Sequence, residues 1–255
     1  DKYRFTFDDE FCETVNKAFV ELYRSGKIYR GYRLVNWDPI LKTAVSDLEV
    51  VRQEKEGVIW HIDYPILDSS EKITVATTRP ETMFGDMAVA VNPKDKRYQK
   101  FIGKYVELPL VGRKIPILGD DYVDMEFGTG CLKITPGHDF NDYEIGKKYN
   151  LYLDGEVVKS SKNQSDFKPI NIFDRFAYTN DSVPDPFKNL DRFKARESII
   201  NELEKIGKLS RVEETLHTVP FGDRSNEIIE PWLTDQWFVN AKELSKVAIE
   251  KVRNK

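Results

Sequence analysis

Several things are scarce in this 255-residue sequence, and each shortage removes a class of protein. There are 2 cysteines, Cys12 and Cys131, so no disulfide framework is possible and a reducing compartment is expected. The 3 histidines, His61, His138 and His217, are scattered, and Cys131 has no CxxC partner, so no metal site is expected. The longest unbroken apolar run, 87–91, is far too short for a membrane span, and Asp1-Lys2-Tyr3-Arg4 opens no secretory signal. Positive charge is not in surplus. Lys and Arg number 39 against 43 Asp and Glu, a net −4, which argues against a basic nucleic-acid coat but not against local recognition of RNA. Internal repeats, a Walker pattern, a complete GxGxxG and a GxSxG elbow are all missing.

What is present belongs to a folded protein. Hydrophobic residues make up 40% and aromatics 12%, which excludes global disorder. The expectation is a soluble cytoplasmic globule. Phe11, Val15, Ala18, Phe19 and Leu22 form one apolar stripe at helical spacing, with Thr6, Asp8 and Asp9 as candidate caps and Gly26 as the stop. Short strands follow at 34–37, 48–51, 58–64, 72–77, 88–91, 106–110, 114–118 and 131–135, with 54–57 as a hairpin loop. Further helices are predicted at 139–149, 190–206 and 241–252, and a polar mobile loop at 154–168. Short, frequent strands suggest mixed α and β structure centred on a β-barrel with peripheral helices. A chain that starts without Met and ends within a helical pattern is expected to be a segment of something larger.

The densest polar cluster runs from Lys133 to Glu144. Lys133 and Thr135 alternate on one strand face, and Pro136-Gly137 turns the chain into a helix where Asp139 and Asp142 are i, i+3 neighbours. One ammonium, one hydroxyl and two carboxylates thus converge, suited to an amine and a hydroxyl or carbonyl. A helix N-cap alone would equally account for Asp139. The second cluster, Thr77-Thr78-Arg79-Pro80-Glu81-Thr82, puts hydroxyls and a guanidinium at a strand exit, suited to a phosphate or carbonyl; a surface Arg beside a Thr-rich strand end is the plainer alternative. Phe127-Gly128-Thr129-Gly130 permits close backbone approach, with Phe127 as an apolar wall. Trp37, Trp60, Trp232 and Trp237 are expected as core or interface anchors.

In combination these motifs resemble the connective-peptide editing domain of class I aminoacyl-tRNA synthetases, and among them the valyl-tRNA synthetases. The residues that carry the likeness are Leu34-Val35-Asn36-Trp37-Asp38-Pro39, Thr43 to Val50, Thr77 to Thr82, Gly128-Thr129-Gly130, the Lys133 to Glu144 run, and Glu230 to Val239. They span nearly the whole chain in the family's order. The leucine enzymes usually lack the Lys of the second motif and the isoleucine enzymes usually read TTTPWT at the first, so Lys133 with Asn141-Asp142-Tyr143 favours the valine enzymes. Gly137 departs from the family's usual Ala. The HIGH motif is absent, and Lys159-Ser160-Ser161-Lys162-Asn163 is only a partial match to KMSKS.

The resemblance implies an incoming segment at 1–39, a post-transfer editing domain at 40–222 and a return segment at 223–255. It implies hydrolysis of mischarged Thr-tRNA, with Asp139, Lys133 and Thr78 as the catalytic set. Asp139 would hold the α-amino group. Lys133, Thr135 and Asp142 would surround the hydroxyl and carbonyl, Phe127 would form a wall, and Thr77, Thr78 and Arg79 would position the ester or terminal adenosine. No metal or cofactor is implied for editing; ATP and Mg would serve only the parent ligase. The implied partner is the aminoacylated 3′ end of valine-specific tRNA, taken by a monomer with no membrane contact.

Overall fold

The computed structural model describes residues 5–254, so 1–4 of the expected incoming segment and residue 255 of the return segment lie outside the described residues. Among the described residues the four α-helices are α1 (Asp9–Arg24), α2 (Phe140–Lys148), α3 (Arg192–Lys205) and α4 (Ala241–Arg253). The strands are β1 (Ile28–Asp38), β2 (Thr43–Val45), β3 (Val50–Pro65), β4 (Lys72–Thr77), β5 (Ala88–Val91), β6 (Tyr105–Glu107), β7 (Lys114–Gly119), β8 (Cys131–Ile134), β9 (Leu151–Asp154), β10 (Val157–Ser160), β11 (Leu209–Gly222) and β12 (Glu230–Val239). Among the described residues no helix is long and apolar enough to cross a membrane.

The chain divides into two compact units. The smaller is built from the described parts of Asp1–Arg33 and Thr234–Lys255. There the α1 stripe turns Phe19 and Tyr23 edge-on to Trp237, with ring centroids 5.3 and 5.8 Å apart. Gly26, at φ +71°, closes the helix as its position predicts. The larger unit, Leu34–Leu233, contains the polar motifs. Its core gathers Ile62, Tyr64, Ile73 and Val75 from β3 and β4, Met83 and Phe84 from the following 3-10 turn, and all of β5. Trp37 and Trp232 pack together at 4.5 Å, and their indole N–H groups donate to the Arg175 and Phe173 carbonyls.

Mixed α and β structure is found, but not a barrel. Among the described residues three sheets form, in the orders β12-β1-β2, β11-β3-β4 and β8-β5-β7-β10-β9, with β6 also on β7. Closure requires every strand to be paired on both sides and the last to the first. Here the largest sheet branches at β7, which pairs with β5 through Ile117–Gly119 and with β6 through Lys114–Pro116. Its outer strands, β8 and β9, do not pair with each other, and β4 lies beside β8 without a ladder between them.

Two local expectations also change. The 54–57 stretch is not a hairpin loop: β3 runs unbroken for 16 residues, and β11 supplies its hydrogen bonds from Gly222 opposite Val50 to Leu209 opposite Ile62. A charged run reads as a loop in sequence, yet a two-stranded ribbon with solvent on both faces accommodates it. The 154–168 stretch is not a plain loop either. β9 and β10 form a hairpin turning at Gly155, φ +60°, and Asn163 caps the short 3-10 turn Gln164–Asp166.

Candidate functional site

β4 ends at the buried Thr77, Thr78 follows it at the rim of a cavity, and Pro80 starts a 3-10 helix, Pro80–Gly85. Two hydroxyls brace the turn. Thr77 Oγ1 accepts the Arg79 N–H at 3.0 Å, and Thr82 Oγ1 donates to the Arg79 carbonyl at 2.9 Å. Arg79 then donates from Nε to Glu81 at 3.2 Å, from Nη1 to the His138 carbonyl at 3.0 Å and from Nη2 to Glu230 at 2.5 Å. Burial pulls its pKa down, but Glu230 and Glu81 outweigh that and hold it above the ordinary value.

Lys133 projects from β8 into a sealed polar network. Its ammonium donates to Thr82 Oγ1 at 2.8 Å, to Asp86 Oδ1 at 3.1 Å and to Thr135 Oγ1. An ammonium has three N–H donors, so all are taken. The Thr135 hydroxyl in turn donates to Asp86 Oδ1 at 2.6 Å, and the buried Tyr64 hydroxyl donates to Asp86 Oδ2 at 2.7 Å. Every member of this network is satisfied by another, the condition under which buried polar groups rigidify a site.

α2 begins at the Pro136-Gly137 turn, as the sequence suggests, with Asp139 as its N-cap. Asp139 Oδ1 accepts from the N–H groups of Asn141 and Asp142 at 2.8 and 3.0 Å, and among the described residues no hydrogen bond is made to Oδ2. Asp142 is buried and accepts the Thr135 N–H at 2.9 Å. Burial, reinforced by the neighbouring Asp139 charge, pushes its carboxyl up to about 8 despite Lys133.

The cavity has a volume of about 720 Å³ and lies within the larger unit. Thr78, Arg79 and Asp139 line it, together with Glu81, Arg192, Phe193, Arg196 and Glu230. Thr77, Lys133, Thr135 and Asp142 are buried outside its wall. Phe127 does not wall the cavity: it is 74% exposed in the turn before Gly130. Gly128 folds that turn toward β4, where an added Cβ would lie 3.4 Å from the Ala76 methyl, but the Phe127 ring stays in solvent.

Sequence reasoning missed the groups that hold these residues in place. Thr82 reads in sequence only as one of the hydroxyls suited to a phosphate or carbonyl, Glu81 has no role there, and neither have Asp86, Glu230, Arg192 and Arg196. A hint existed in Thr82 and Asp86, four apart and flanking an apolar turn, but a charge paired across long sequence separation leaves no local pattern. His138, read as an isolated histidine, is buried. Its Nε2 accepts the Ile172 N–H at 3.0 Å, which leaves the proton on Nδ1, 3.7 Å from Glu230 Oε1. Burial keeps this imidazole below its usual pKa, against the pull of Glu230. Among the described residues no group of three or more His, Cys, Asp or Glu is placed to hold a metal.

Comparison with known proteins shows the family. The family described as tRNA synthetases class I (I, L, M and V) matches residues 1–255. The chain is 52% identical to the valine–tRNA ligase of Francisella tularensis subsp. tularensis over 252 residues, covering 99% of the chain and 26% of that protein. It is 52% identical to the valine–tRNA ligase of Legionella pneumophila (strain Paris), covering 98% of the chain and 25% of that protein. With the Coxiella burnetii valine–tRNA ligase it shares 50% identity over 98% of the chain and 26% of that protein. The chain therefore spans about a quarter of the length of the relatives it matches.

Proposed function

The chain belongs to the class I tRNA synthetases of the I, L, M and V group, and on that premise we propose that it is the editing part of a valine–tRNA ligase. In this reading residues 40–222 form a deacylase that hydrolyses the ester of threonine misattached to valine-specific tRNA. Residues 1–39 and 223–255 lead into and out of it. The need is chemical. An apolar pocket shaped for valine cannot strongly reject threonine, the pair being a standard illustration of that limit, so a second site must recognise the hydroxyl and cleave.

One observation carries the proposal: Thr78, Arg79 and Asp139 line one cavity, and the Lys133–Thr135–Asp86 network is locked beside them. The free Oδ2 of Asp139 suits the ammonium of the aminoacyl group. Thr78 and the two N–H groups that Arg79 has not committed suit the ester and the terminal ribose. Lys133, Thr135 and Asp142 are buried behind the cavity wall, so the threonine hydroxyl would reach them only by opening it. Because Lys133 already has three acceptors, a substrate hydroxyl must displace one of them, and valine, without a hydroxyl, offers nothing in exchange. An aminoacyl ester is already activated, so an oriented water and stabilisation of the developing oxyanion are enough, without a covalent nucleophile.

The editing reaction as proposed uses no metal or cofactor. ATP and Mg belong to amino-acid activation by the whole ligase, in a cytoplasmic, monomeric enzyme. The test is incubation of the chain with Thr-tRNA and Val-tRNA charged on the same valine-specific tRNA. Loss of the threonyl ester with the valyl ester spared is expected. Binding of the tRNA without hydrolysis would replace the deacylase reading with that of a docking module.

A further inference from the structure

Segments far apart in sequence meet around Arg79. Glu230 opens β12 with a side chain only 2% exposed, its Oε1 2.5 Å from Arg79 Nη2 and its Oε2 3.2 Å from Arg192 Nη1. Arg192, on the first turn of α3, is itself held by Glu227 at 3.0 Å and by the Ile228 carbonyl at 2.7 Å. Glu81 faces Arg79 from the other side, and Arg196 grips it through two donors at 2.8 and 2.9 Å. Three guanidiniums thus share three carboxylates. Arg79 is the member that also reaches the His138 carbonyl, one residue before Asp139.

We infer that Glu230 is a positioning residue for the hydrolysis: it holds Arg79 at the cavity wall and, through the Arg79 bond to the His138 carbonyl, fixes the loop that presents Asp139. The inference rests on the deacylase reading of this cavity. A guanidinium is a rigid planar fork, so bonds to Glu81, His138 and Glu230 together determine its position and orientation. Without the Glu230 charge, Glu81 is the only carboxylate left on Arg79 among the described residues, and it pulls from the Nε side. The bond to the His138 carbonyl, made from Nη1, then loses its counterweight on Nη2. Asp139 is then held by its cap bonds to α2 alone, and these open more often once the loop loses the tie that sets its distance from Thr78. Displacement of a reacting group by about 1 Å costs up to about 100-fold in rate.

The test compares the parent chain with Glu230→Gln, Glu230→Asp, Arg79→Lys and the Glu230→Gln/Arg79→Lys double variant. Deacylation of Thr-tRNA is measured over a substrate range, with amide hydrogen exchange at Asn141 and Asp142. Glu230→Gln keeps the volume and an acceptor, so its rate at saturation should fall by about 10- to 100-fold while half-saturation moves less than about 2-fold. Glu230→Asp should recover part of the loss, and the double variant should be no slower than the slower single. The Asn141 and Asp142 amides should exchange faster in Glu230→Gln while those of β5 and β8 hold. Parent rate and parent exchange in Glu230→Gln would overturn the inference. So would losses that multiply with those of Arg79→Lys, or a fall in rate that only tracks the folded fraction. If Glu230→Gln does not fold, Glu230→Asp, which keeps the charge but draws it back by one methylene, carries the same comparisons. If the parent chain spares Thr-tRNA, the deacylase reading fails, and amide exchange alone decides whether Glu230 holds the Asp139 loop.

Discussion

In the proposed deacylase Asp139 does two jobs with two oxygens: Oδ1 caps α2, and Oδ2 takes the ammonium of the substrate. Substitution can separate them. Asparagine caps a helix about as well as aspartate, so Asp139→Asn should keep stability within about 0.5 kcal/mol, whereas Asp139→Ala should lose about 1 kcal/mol. Both should abolish Thr-tRNA deacylation, because neither carries the charge that holds the ammonium; a folded variant working at the parent rate would refute the role. Asp142 makes a prediction about pH. Its carboxyl rises from the usual 3.8 to about 8 in the fold, so between those values the folded chain binds more protons than the unfolded one. Its contribution to stability therefore falls as pH rises through that window and levels off above about 8. Asp142→Asn should flatten this slope in denaturant midpoints measured across the range. Glu230 acts in the opposite sense. Burial alone would raise its pKa, but Arg79, His138 and Arg192 bring it from 4.5 to about 2, so its contribution is complete above 4.5 and is lost as pH drops toward 2.

At the scale of elements, two glycines distinguish backbone limits from side-chain limits. A Cβ on Gly137, in the turn between β8 and α2, would stand 2.2 Å from the Ile170 carbonyl oxygen. The family's usual alanine thus meets a fixed backbone in this chain, and Gly137→Ala should cost about 1–3 kcal/mol and shift the Asp139 loop. A Cβ on Gly57, midway along β3, would stand 2.1 Å from His217 Cε1, a ring that can turn toward the cavity. Gly57→Ala should cost less, and thermal melts giving the reverse order would contradict this account. The same contrast explains what was legible. The stripe of α1, the cap of α2 and the apolar alternation of β4 are local patterns, and each appears where sequence places it. β11 has no such signature, because its residues before Gly222 are all exposed or half-buried, mix apolar with polar side chains, and acquire a strand's hydrogen bonds from β3.

At the scale of the whole molecule, a net charge of −4 predicts weak tRNA binding dominated by a few cations near the cavity. Affinity should fall steeply between low and moderate salt, and tight binding that survives high salt would contradict this. With no HIGH motif and no full KMSKS in its sequence, the chain should also fail to support valine-dependent ATP–pyrophosphate exchange, and exchange by the purified chain would sink that expectation. The sequence by itself determined the family likeness, the polar motifs and the turn that puts Asp139 at a helix start, since all of these are written in adjacent residues. The tertiary structure decided the rest. It turned Phe127 out to solvent, left the largest sheet open, saturated Lys133 with acceptors and placed Glu230 against Arg79, 151 positions away. Sheet closure and buried charge pairing join residues across such separations, and no local pattern records which distant partner a buried charge will meet.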